Sequence, residues 1–520
     1  MNFIFMLFSR KNNTLLLILI FLTALAVRFL YFPNNIYFGF DQARDAYESQ
    51  SIYKNLDLKL IGPSTADPKL FHGPLYWYMI GFIYLIARGD PSLPAAFLLV
   101  LNAVGVFLVY LLGKSLFNSK TGIIASVLYA FSFEQTQYAM YFGNPAPAVL
   151  STLLFYLGLS LFIFKKDWRG LPLAFLGYGL SIQFEFFLLY LGVIAAIAIL
   201  IFRKRIKSKV TLKHVLISLA VFILSISSFI VSDFKYGFRT SNTLLSSISK
   251  IEQGSGNIVI SLRFYIDRLG LLFHDNVFPI KPSISKVSMI ALIIFGALWV
   301  IRKKSNFSQV LFLLVWILSS LPLVLFGKPS LYYTNIGISA GLLIYSAFLL
   351  ERLREKKFST GIILVLLIIL GNLSLITKQN PRGIINDIYV QEGMLLSREK
   401  AAIDYIYRES SGKPIVVASS TMPLFINTTW AYLFNWYADP KYGHLPYWAG
   451  KTAEGYPGSL PIWKSQEKEY QFFSIIEPTR GVGQGHIDLF LLEQGQYGEV
   501  VDEKSWGDRW YSQLVVQKRK

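Results

Sequence analysis

The sequence predicts a polytopic α-helical membrane protein with about eleven spans, juxtamembrane helices and a small extracytoplasmic α/β domain at the C-terminus. Of its 520 residues, 53% are hydrophobic and only 16% are charged, whereas charged residues make up roughly 25% of soluble proteins. The mean hydropathy is +0.46. Several apolar runs reach the roughly 18 to 20 residues that a helix needs to cross a bilayer.

Basic residues between the apolar runs predict the orientation. Lys and Arg stay on the cytoplasmic side of a membrane, so the net charge of +19 indicates topology, and we expect no nucleic-acid partner. The basic clusters lie at 10–11, 114–120, 165–169, 203–213, 302–304 and 352–357. Placing all of them inside gives spans at 13–32, 94–113, 121–142, 147–164, 171–202 (two crossings that turn near 183–185), 214–232, 287–301, 307–327, 331–350 and 359–377. The N-terminus is then cytoplasmic, in a plasma (inner) membrane.

The apolar segment 74–87 is too short to be counted as a span. If it crossed the membrane, every later basic cluster would move outside. Its aromatic residues favour a helix that lies in the outer interface. Residues 33–93 therefore form a first external loop with juxtamembrane helices, and 233–286 form a second one with a helix near 262–273.

The C-terminal part, 378–520, differs in composition and predicts a small extracytoplasmic α/β domain. "AAIDYIYRES" is typical of a helix and "PIVVASS" of a following strand. Further strands are predicted at "YQFFSIIEP", "YGEVVDE" and "WYSQLVVQK", with a helix near "HIDLFLLEQG". We accordingly divide the chain into residues 1–377 and 378–520.

The first external loop carries the strongest candidate for chemistry. In "FGFDQARDAYESQ", Asp41, Arg44, Asp45 and Glu48 are spaced to share one face of a helix. A carboxylate beside a fixed cation suits an acid–base site that also holds an anion. The alternative is a solvated amphipathic helix with ion pairs.

Other polar residues converge on the same outer side of the predicted membrane. Lys69 and His72 precede the interfacial helix, where a lipid phosphate would lie. A buried carboxylate at the end of a span is costly, which draws attention to Glu134. The remaining candidates are Asn144, Gln183, Glu185, Lys328, Tyr332 and Tyr333. For several of them a structural role, such as a helix cap at Asn144 or a snorkelling Lys69, is the alternative.

Several chemistries find little support in the sequence. The chain has no Cys, which excludes disulfides, thiolate metal sites and a Cys nucleophile. No phosphate-binding glycine motif of nucleotide hydrolases is present. The five His residues show no metal-ligand spacing, so we expect no metal site.

Four motifs resemble those of the GT-C membrane glycosyltransferases, in the branch of protein O-mannosyltransferases and aminoarabinose transferases. Those enzymes carry an Asp-Glu pair and then an Arg in the first external loop, matched here by Asp41, Gln42 and Arg44 in "FDQARDAY". The segments "HGPLYWY", "GKSLFNSKTG" and "YFGNPAPA" follow in family order. The chain departs from the pattern at Gln42 and Asn144, where the family has acidic residues, and Asp45 is additional.

The resemblance implies an inverting transfer of a sugar from a polyprenyl phosphate to a hydroxyl of a glycan, lipid or protein acceptor, at the membrane. It implies that Asp41 is the general base and that Arg44 and Lys69, with Lys328 as a third candidate, stabilise the leaving phosphate. No divalent metal is required on this interpretation. The remaining candidates would line the cleft: Gln42, Asp45, His72, Glu134, Asn144, Gln183, Glu185, Tyr332 and Tyr333.

Two other functions remain open from the residues. A transporter or flippase of lipid-linked glycans would need polar groups at mid-membrane and access from both sides. A ligase or polymerase of surface glycans would rest on basic residues of later external loops, such as Arg239, Arg263 or Arg268.

Overall fold

The computed structural model describes residues 11–65, 69–206, 210–251, 258–303, 306–325, 330–385, 391–464 and 469–520. Its N-terminal half consists of helices. They are α1 (Lys11–Arg28), α2 (Phe40–Lys54), α3 (Leu75–Ile86), α4 (Ser92–Leu116), α5 (Ser119–Phe131), α6 (Phe133–Met140), α7 (Pro145–Phe164), α8 (Gly170–Phe184), a 3-10 turn (Phe186–Tyr190), α9 (Leu191–Phe202), α10 (Leu212–Ser225), α11 (Ser227–Lys235) and α12 (Arg239–Ile251).

The helices continue to residue 379, and a mixed structure follows. The remaining helices of the membrane part are α13 (Ile258–His274), α14 (Pro282–Lys303), α15 (Phe307–Ile317), α16 (Leu321–Leu325), α17 (Ile338–Lys356) and α18 (Phe358–Gln379). The C-terminal part contains α19 (Leu396–Glu409), β1 (Ile415–Ser419), α20 (Thr428–Leu433), a π-helical turn (Phe434–Ala438), α21 (Asp439–Tyr442), β2 (Tyr447–Trp448), β3 (Gln471–Ile476), α22 (Gln484–Gln494), β4 (Val500–Trp506) and β5 (Leu514–Arg519).

The chain is an integral membrane protein. In the part of the chain that the structure describes, five helical segments are long and apolar enough to cross a bilayer, or six if the bent pair α10 and α11 is one span. The five are Ser92–Leu116, Pro145–Phe164, Pro282–Arg302, Phe307–Val324 and Phe358–Arg382. Large apolar side chains on α14 and α18, such as Phe295 and Leu370, are exposed, as expected of surfaces that face lipid. The total of eleven spans remains a prediction.

Several predicted spans are broken. The segment 121–142 divides at Ser132, whose side chain accepts a hydrogen bond from the backbone N–H of Gln135 and so caps α6. The segment 214–232 bends by 60° between α10 and α11, and 307–327 is interrupted after Ile317. In 171–202 the helix α8 ends at Phe184, near the predicted turn, and the two crossings of this segment remain a prediction.

Residues 33–93, the predicted first external loop, contain two helices that pack closely together. α3 has 12 residues, so it is about 18 Å long and shorter than the roughly 30 Å hydrocarbon core. Gly81 of α3 lies against Ser49 of α2 so closely that a Cβ atom at Gly81 would be 2.3 Å from the Ser49 carbonyl oxygen. The Tyr53 hydroxyl donates to the Tyr78 carbonyl at 2.7 Å. The segment 74–87 is therefore a helix seated on α2, and its depth in the membrane stays a prediction.

The C-terminal part is built on a five-stranded sheet of order β2-β1-β3-β5-β4. β1 pairs in parallel with β2 and β3, while β5 pairs antiparallel with β3 and β4. The predicted strands and the helices α19 and α22 are present. The C-terminal part contacts the segment before α2, since the Phe38 N–H donates to the Met394 carbonyl and the Leu396 N–H to the Ile36 carbonyl. The domain boundary at 377–378 remains a prediction.

Gly81→Ala should destabilise the protein, because the added methyl group would push α3 away from α2. Overpacking of this kind costs about 1–3 kcal/mol, measurable as a lower free energy of unfolding in detergent. The control is Gly485→Ala in α22, where no atom lies within 4 Å of the added Cβ. Equal stability of the two variants would show that α2 and α3 are not in this contact.

Candidate functional site

Asp41, Arg44 and Asp45 form a compact ion-pair cluster at the start of α2. The Arg44 guanidinium donates to Asp41 Oδ1 at 2.6 Å through Nη1 and to Asp45 Oδ1 at 2.8 and 3.0 Å through Nη2 and Nε. Burial disfavours the charge of Arg44, but the two carboxylates outweigh it and raise its pKa. The cation is therefore held in one place between the two acids.

The two acids of the cluster differ in exposure. The Asp41 side chain is 63% exposed, whereas that of Asp45 is 4% exposed. Asp45 Oδ1 also accepts a hydrogen bond from the indole of Trp77 in α3, at 2.8 Å. Burial raises the pKa of Asp45 to about 6, although Arg44 opposes this shift. Asp45 fixes the cation from the protein side, and Asp41 presents its carboxylate to solvent.

Gln42 is buried, and its side chain bonds to backbone groups. It is 4% exposed, its Oε1 accepts from the N–H of Gly39, and its Nε2 donates to the carbonyl oxygen of Phe142 at 2.7 Å. It thus caps α2 and ties that helix to the loop before α7. Asn144, in the same loop, is buried, and its Oδ1 has no hydrogen-bond partner among the described residues. The Gln42 side chain is directed into the protein, away from the solvent that Asp41 faces.

The motif that contains His72 docks on the break between α8 and the 3-10 turn. The Gly73 N–H donates to the Gln183 carbonyl, and a Cβ atom at Gly73 would lie 1.8 Å from Gln183 Oε1, which explains the glycine. His72 Nδ1 accepts from the N–H of Phe186 at 3.2 Å and lies 3.7 Å from Glu185 Oε1. Burial and the charge of Arg44 lower the pKa of His72 to about 3. The imidazole is therefore neutral, and its contact with Glu185 is not an ion pair.

A second polar cluster surrounds Glu134 in α6. Glu134 Oε2 accepts from the amide of Asn276 at 2.9 Å, and Oε1 lies 3.8 Å from the Arg268 guanidinium. Arg268 is 8% exposed and stands 4.8 Å from the centre of the Tyr332 ring. Tyr332 in turn stacks on Tyr138 with ring centres 4.2 Å apart. The predicted residues Glu134 and Tyr332 are thus brought together by Arg268, a cation of α13.

Some predicted residues are not brought to the Asp41 cluster. Glu48 pairs instead with Lys59, at 2.6 Å. Lys69 is exposed and lies two residues before Phe71, which forms an antiparallel bridge with Ser64. The ring of Tyr333 lies 5.8 Å from that of Phe187. Lys328 lies outside the described residues.

The sequence did not predict the partners of the two buried acids, Asp45 and Glu134. Trp77 is one of several aromatic residues of α3, and Asn276 gives no motif. Arg268 entered only as a residue of the ligase alternative. Each partner is distant along the chain, 32 residues for Asp45 and Trp77 and 142 for Glu134 and Asn276, so no local spacing could have identified it. Among the described residues no group of three His, Asp or Glu side chains could hold a metal ion, and the absence of a required metal stays a prediction.

Comparisons with known proteins place this geometry in a family context. Residues 71–229 match the family described as dolichyl-phosphate-mannose-protein mannosyltransferase. The fold matches ArnT from Cupriavidus metallidurans in the apo state, with a TM-score of 0.59 and 10% identity over 96% of this chain and 97% of that chain. The predicted resemblance to the GT-C membrane glycosyltransferases is confirmed.

Two further solved structures share the fold. ArnT from the same organism bound to undecaprenyl phosphate matches with a TM-score of 0.56 and 11% identity, over 96% of this chain and 97% of that chain. The Archaeoglobus fulgidus oligosaccharyltransferase in complex with Zn and sulfate matches with a TM-score of 0.50 and 14% identity, over 89% of this chain and 68% of that chain. No curated protein sequence matches the chain. The family match covers His72, Glu134 and Glu185 and begins after the Asp41 cluster.

Asp45 should make the stability of the protein depend on pH. Its pKa is about 6 in the folded state against an ordinary value of 3.8, so folding disfavours its ionised form. The stability that Asp45 contributes is greatest below pH 4 and falls as the pH rises to about 6. At roughly 1.4 kcal/mol per pKa unit, the stability of the wild type relative to Asp45→Asn should fall by about 3 kcal/mol between pH 4 and 7.

The measurement is thermal or denaturant unfolding of both proteins across this range. Asp488→Asn, which removes an exposed carboxylate of α22, is the control for the loss of one acid. A constant difference between the wild type and Asp45→Asn at all pH values would contradict the burial of Asp45.

Proposed function

We propose that the protein transfers a sugar from a polyprenyl phosphate to an acceptor hydroxyl, with inversion at the anomeric carbon. The observation that carries the proposal is the exposed Asp41 carboxylate, held by an arginine that the buried Asp45 fixes in turn. The GT-C fold supports it, as does the matched family, whose description contains a dolichyl-phosphate sugar donor. One structural neighbour binds undecaprenyl phosphate.

Asp41 is suited to act as the general base. Among the described residues only its Oδ1 accepts a hydrogen bond, from Arg44, so Oδ2 is open to the solvent and to an acceptor. In the reaction the acceptor oxygen forms a bond to the anomeric carbon while the bond from that carbon to the phosphate oxygen breaks. The acceptor proton passes to Asp41, and the polyprenyl phosphate leaves with the bonding electrons.

Arg44 is suited to stabilise the leaving phosphate. A guanidinium has five N–H donors, and the contacts to Asp41 and Asp45 engage one each on Nε, Nη1 and Nη2. One donor on each of Nη1 and Nη2 is left for an anion. Because the cation is fixed before the substrate binds, little reorganisation is needed when charge develops on the phosphate. Lys69 and Lys328 remain proposed as further phosphate-binding residues.

The proposal extends to the place of the reaction. The first external loop and the C-terminal part would lie outside an inner membrane, with a membrane-embedded donor and a glycan, lipid or protein acceptor. His72, Glu134, Asn144, Gln183, Glu185, Tyr332 and Tyr333 are proposed to line the cleft around the donor. Asp45 and Gln42, which are buried, would position α2.

Asp41→Asn should lower turnover about 10²–10⁴-fold, the range that a general base contributes, because the amide cannot accept the proton. The assay supplies purified protein with radiolabelled polyprenyl-phosphate hexoses and measures loss of label from the lipid. Donor binding should persist, since Arg44 keeps Asp45 as its partner. Asp488→Asn is the matched control, and turnover of Asp41→Asn at the wild-type rate would remove the proposed base.

Leu58→Cys should react with a membrane-impermeant maleimide added to intact cells, because the first loop is proposed to be external. Lys165→Cys, in a loop proposed to be cytoplasmic, should react only after the cells are lysed. Both positions are exposed and the chain has no native Cys. Labelling in the opposite order would refute the proposed orientation.

A further inference from the structure

A large cleft lies beside α2, two helical turns from the Asp41 cluster. Its volume is about 580 Å³, within the range of small-ligand pockets. One wall is the second half of α2 with the segment that follows it, and the opposite wall belongs to the C-terminal part. The lining comprises residues of 47–59, the turn at 88–89 and residues of 432–457.

The C-terminal wall of the cleft is built on a π-helical turn. Asn435 and Trp436 lie within the π turn Phe434–Ala438, and both line the cleft. Such turns are rare and occur frequently at functional sites. Trp436 stacks on Tyr432 with ring centres 6.3 Å apart, and Tyr47 of α2 meets Tyr432 edge-on at 5.0 Å. The wall therefore presents aromatic surface next to amide groups.

The turn opposite Trp436 is held in an unusual backbone conformation. Arg88 has a φ of +52°, which is uncommon for a residue with a side chain. Gly89 follows with a φ of +88°, and a Cβ atom there would lie 3.1 Å from the Trp436 ring. The Tyr432 hydroxyl donates to the Gly89 carbonyl at 2.6 Å. The turn is held by this contact and by the hydrogen bond from the Gly89 N–H to the Tyr84 carbonyl, and residues in sparsely populated backbone regions cluster at binding sites.

The cleft combines polar groups of both signs. Lys59 pairs with Glu48 and Asp57, and Lys54 donates to Gln50 at 2.9 Å. Arg88 is exposed, and its guanidinium has no hydrogen bond or ion pair among the described residues. Aromatic faces beside amides and charged groups suit a ligand with an apolar face and a rim of hydroxyls, which describes a carbohydrate.

The position of the cleft connects it to the candidate site. Glu48 is seven residues after Asp41, about 10 Å along the helix axis. Between the two, the segment 456–458 lies over α2. The Tyr456 ring meets that of Phe40 at 5.8 Å, and Gly458 lies against the Tyr47 ring. A chain of a few sugar units bound in the cleft would therefore pass beside the segment 456–458 to bring its end to Asp41.

We propose that this cleft binds the carbohydrate part of the acceptor, with Trp436 and Tyr47 stacking on sugar rings and Arg88 binding polar groups of the same chain. The proposal rests on the proposed transferase function, since it supplies the acceptor for Asp41. On this proposal the cleft recognises the acceptor, whereas the phosphate of the donor binds at Arg44. The C-terminal part thereby selects the acceptor.

The test measures binding of the saccharide pool released from cell envelopes by mild acid. The full chain is placed in lipid nanodiscs, and saturation-transfer NMR reports which sugar protons contact the protein. Trp436→Leu and Arg88→Gln should each weaken binding about tenfold, the effect expected from the loss of one stacked ring or one charged contact. Trp510→Leu, which removes a side chain that is 77% exposed, is the matched control. Arg88→Gln guards against misfolding because the Arg88 side chain is exposed and has no hydrogen bond or ion pair among the described residues.

The outcomes separate this proposal from the proposed function. Weaker saccharide binding in both variants, with wild-type binding in Trp510→Leu, supports the cleft as the acceptor site. Wild-type binding in both variants overturns it, as does binding of a peptide pool in place of the saccharides. Saccharide binding that depends on Trp436, together with no turnover of any donor, would contradict the transferase function and leave the cleft as a carbohydrate-binding site.

Discussion

The burial of Asp45 is the constraint on which the arrangement of α2 and α3 depends. Its carboxylate is 4% exposed and must be compensated inside the protein, because an unpaired buried charge is strongly destabilising. Arg44 and Trp77 supply that compensation. The same contacts bind α3 to α2 and hold the guanidinium next to Asp41. One buried acid thus couples the packing of two short helices to the placement of an exposed carboxylate.

Broken helices place the rest of the polar groups. α6 begins at the break after Ser132, and every residue of α6 is buried. The α8 break offers backbone groups to Gly73 and His72. Irregular backbone at membrane depth is tolerated only where it is buried in protein or lines a water-filled cavity. The polar residues Glu134, Gln183 and Glu185 lie next to these breaks, where the backbone of an apolar helix is interrupted.

The C-terminal part contributes to the surface around α2. Its backbone pairs with residues 36–38, and its Tyr432 hydroxyl bonds to Gly89 next to α3. Tyr432 also accepts from Gln50 of α2, at 3.1 Å. Three segments that are far apart in sequence thus meet at the C-terminal half of α2. The walls of the cleft, which are aromatic and polar, come from all of these segments together.

The sequence by itself determined the membrane class, the helices α2 and α3, four of the five strands of the C-terminal sheet and the proximity of Asp41 to Arg44. These follow from apolar run length, from the 3.6-residue period and from contacts within one helical turn, all of which are local. Only the tertiary structure decided that Asp45 is buried while Asp41 is exposed, that Glu48 turns to Lys59, and that Arg268 reaches Glu134. Such contacts join residues that are not neighbours within one helix, and burial depends on which surfaces pack together. Residue spacing along the chain therefore does not predict either of them.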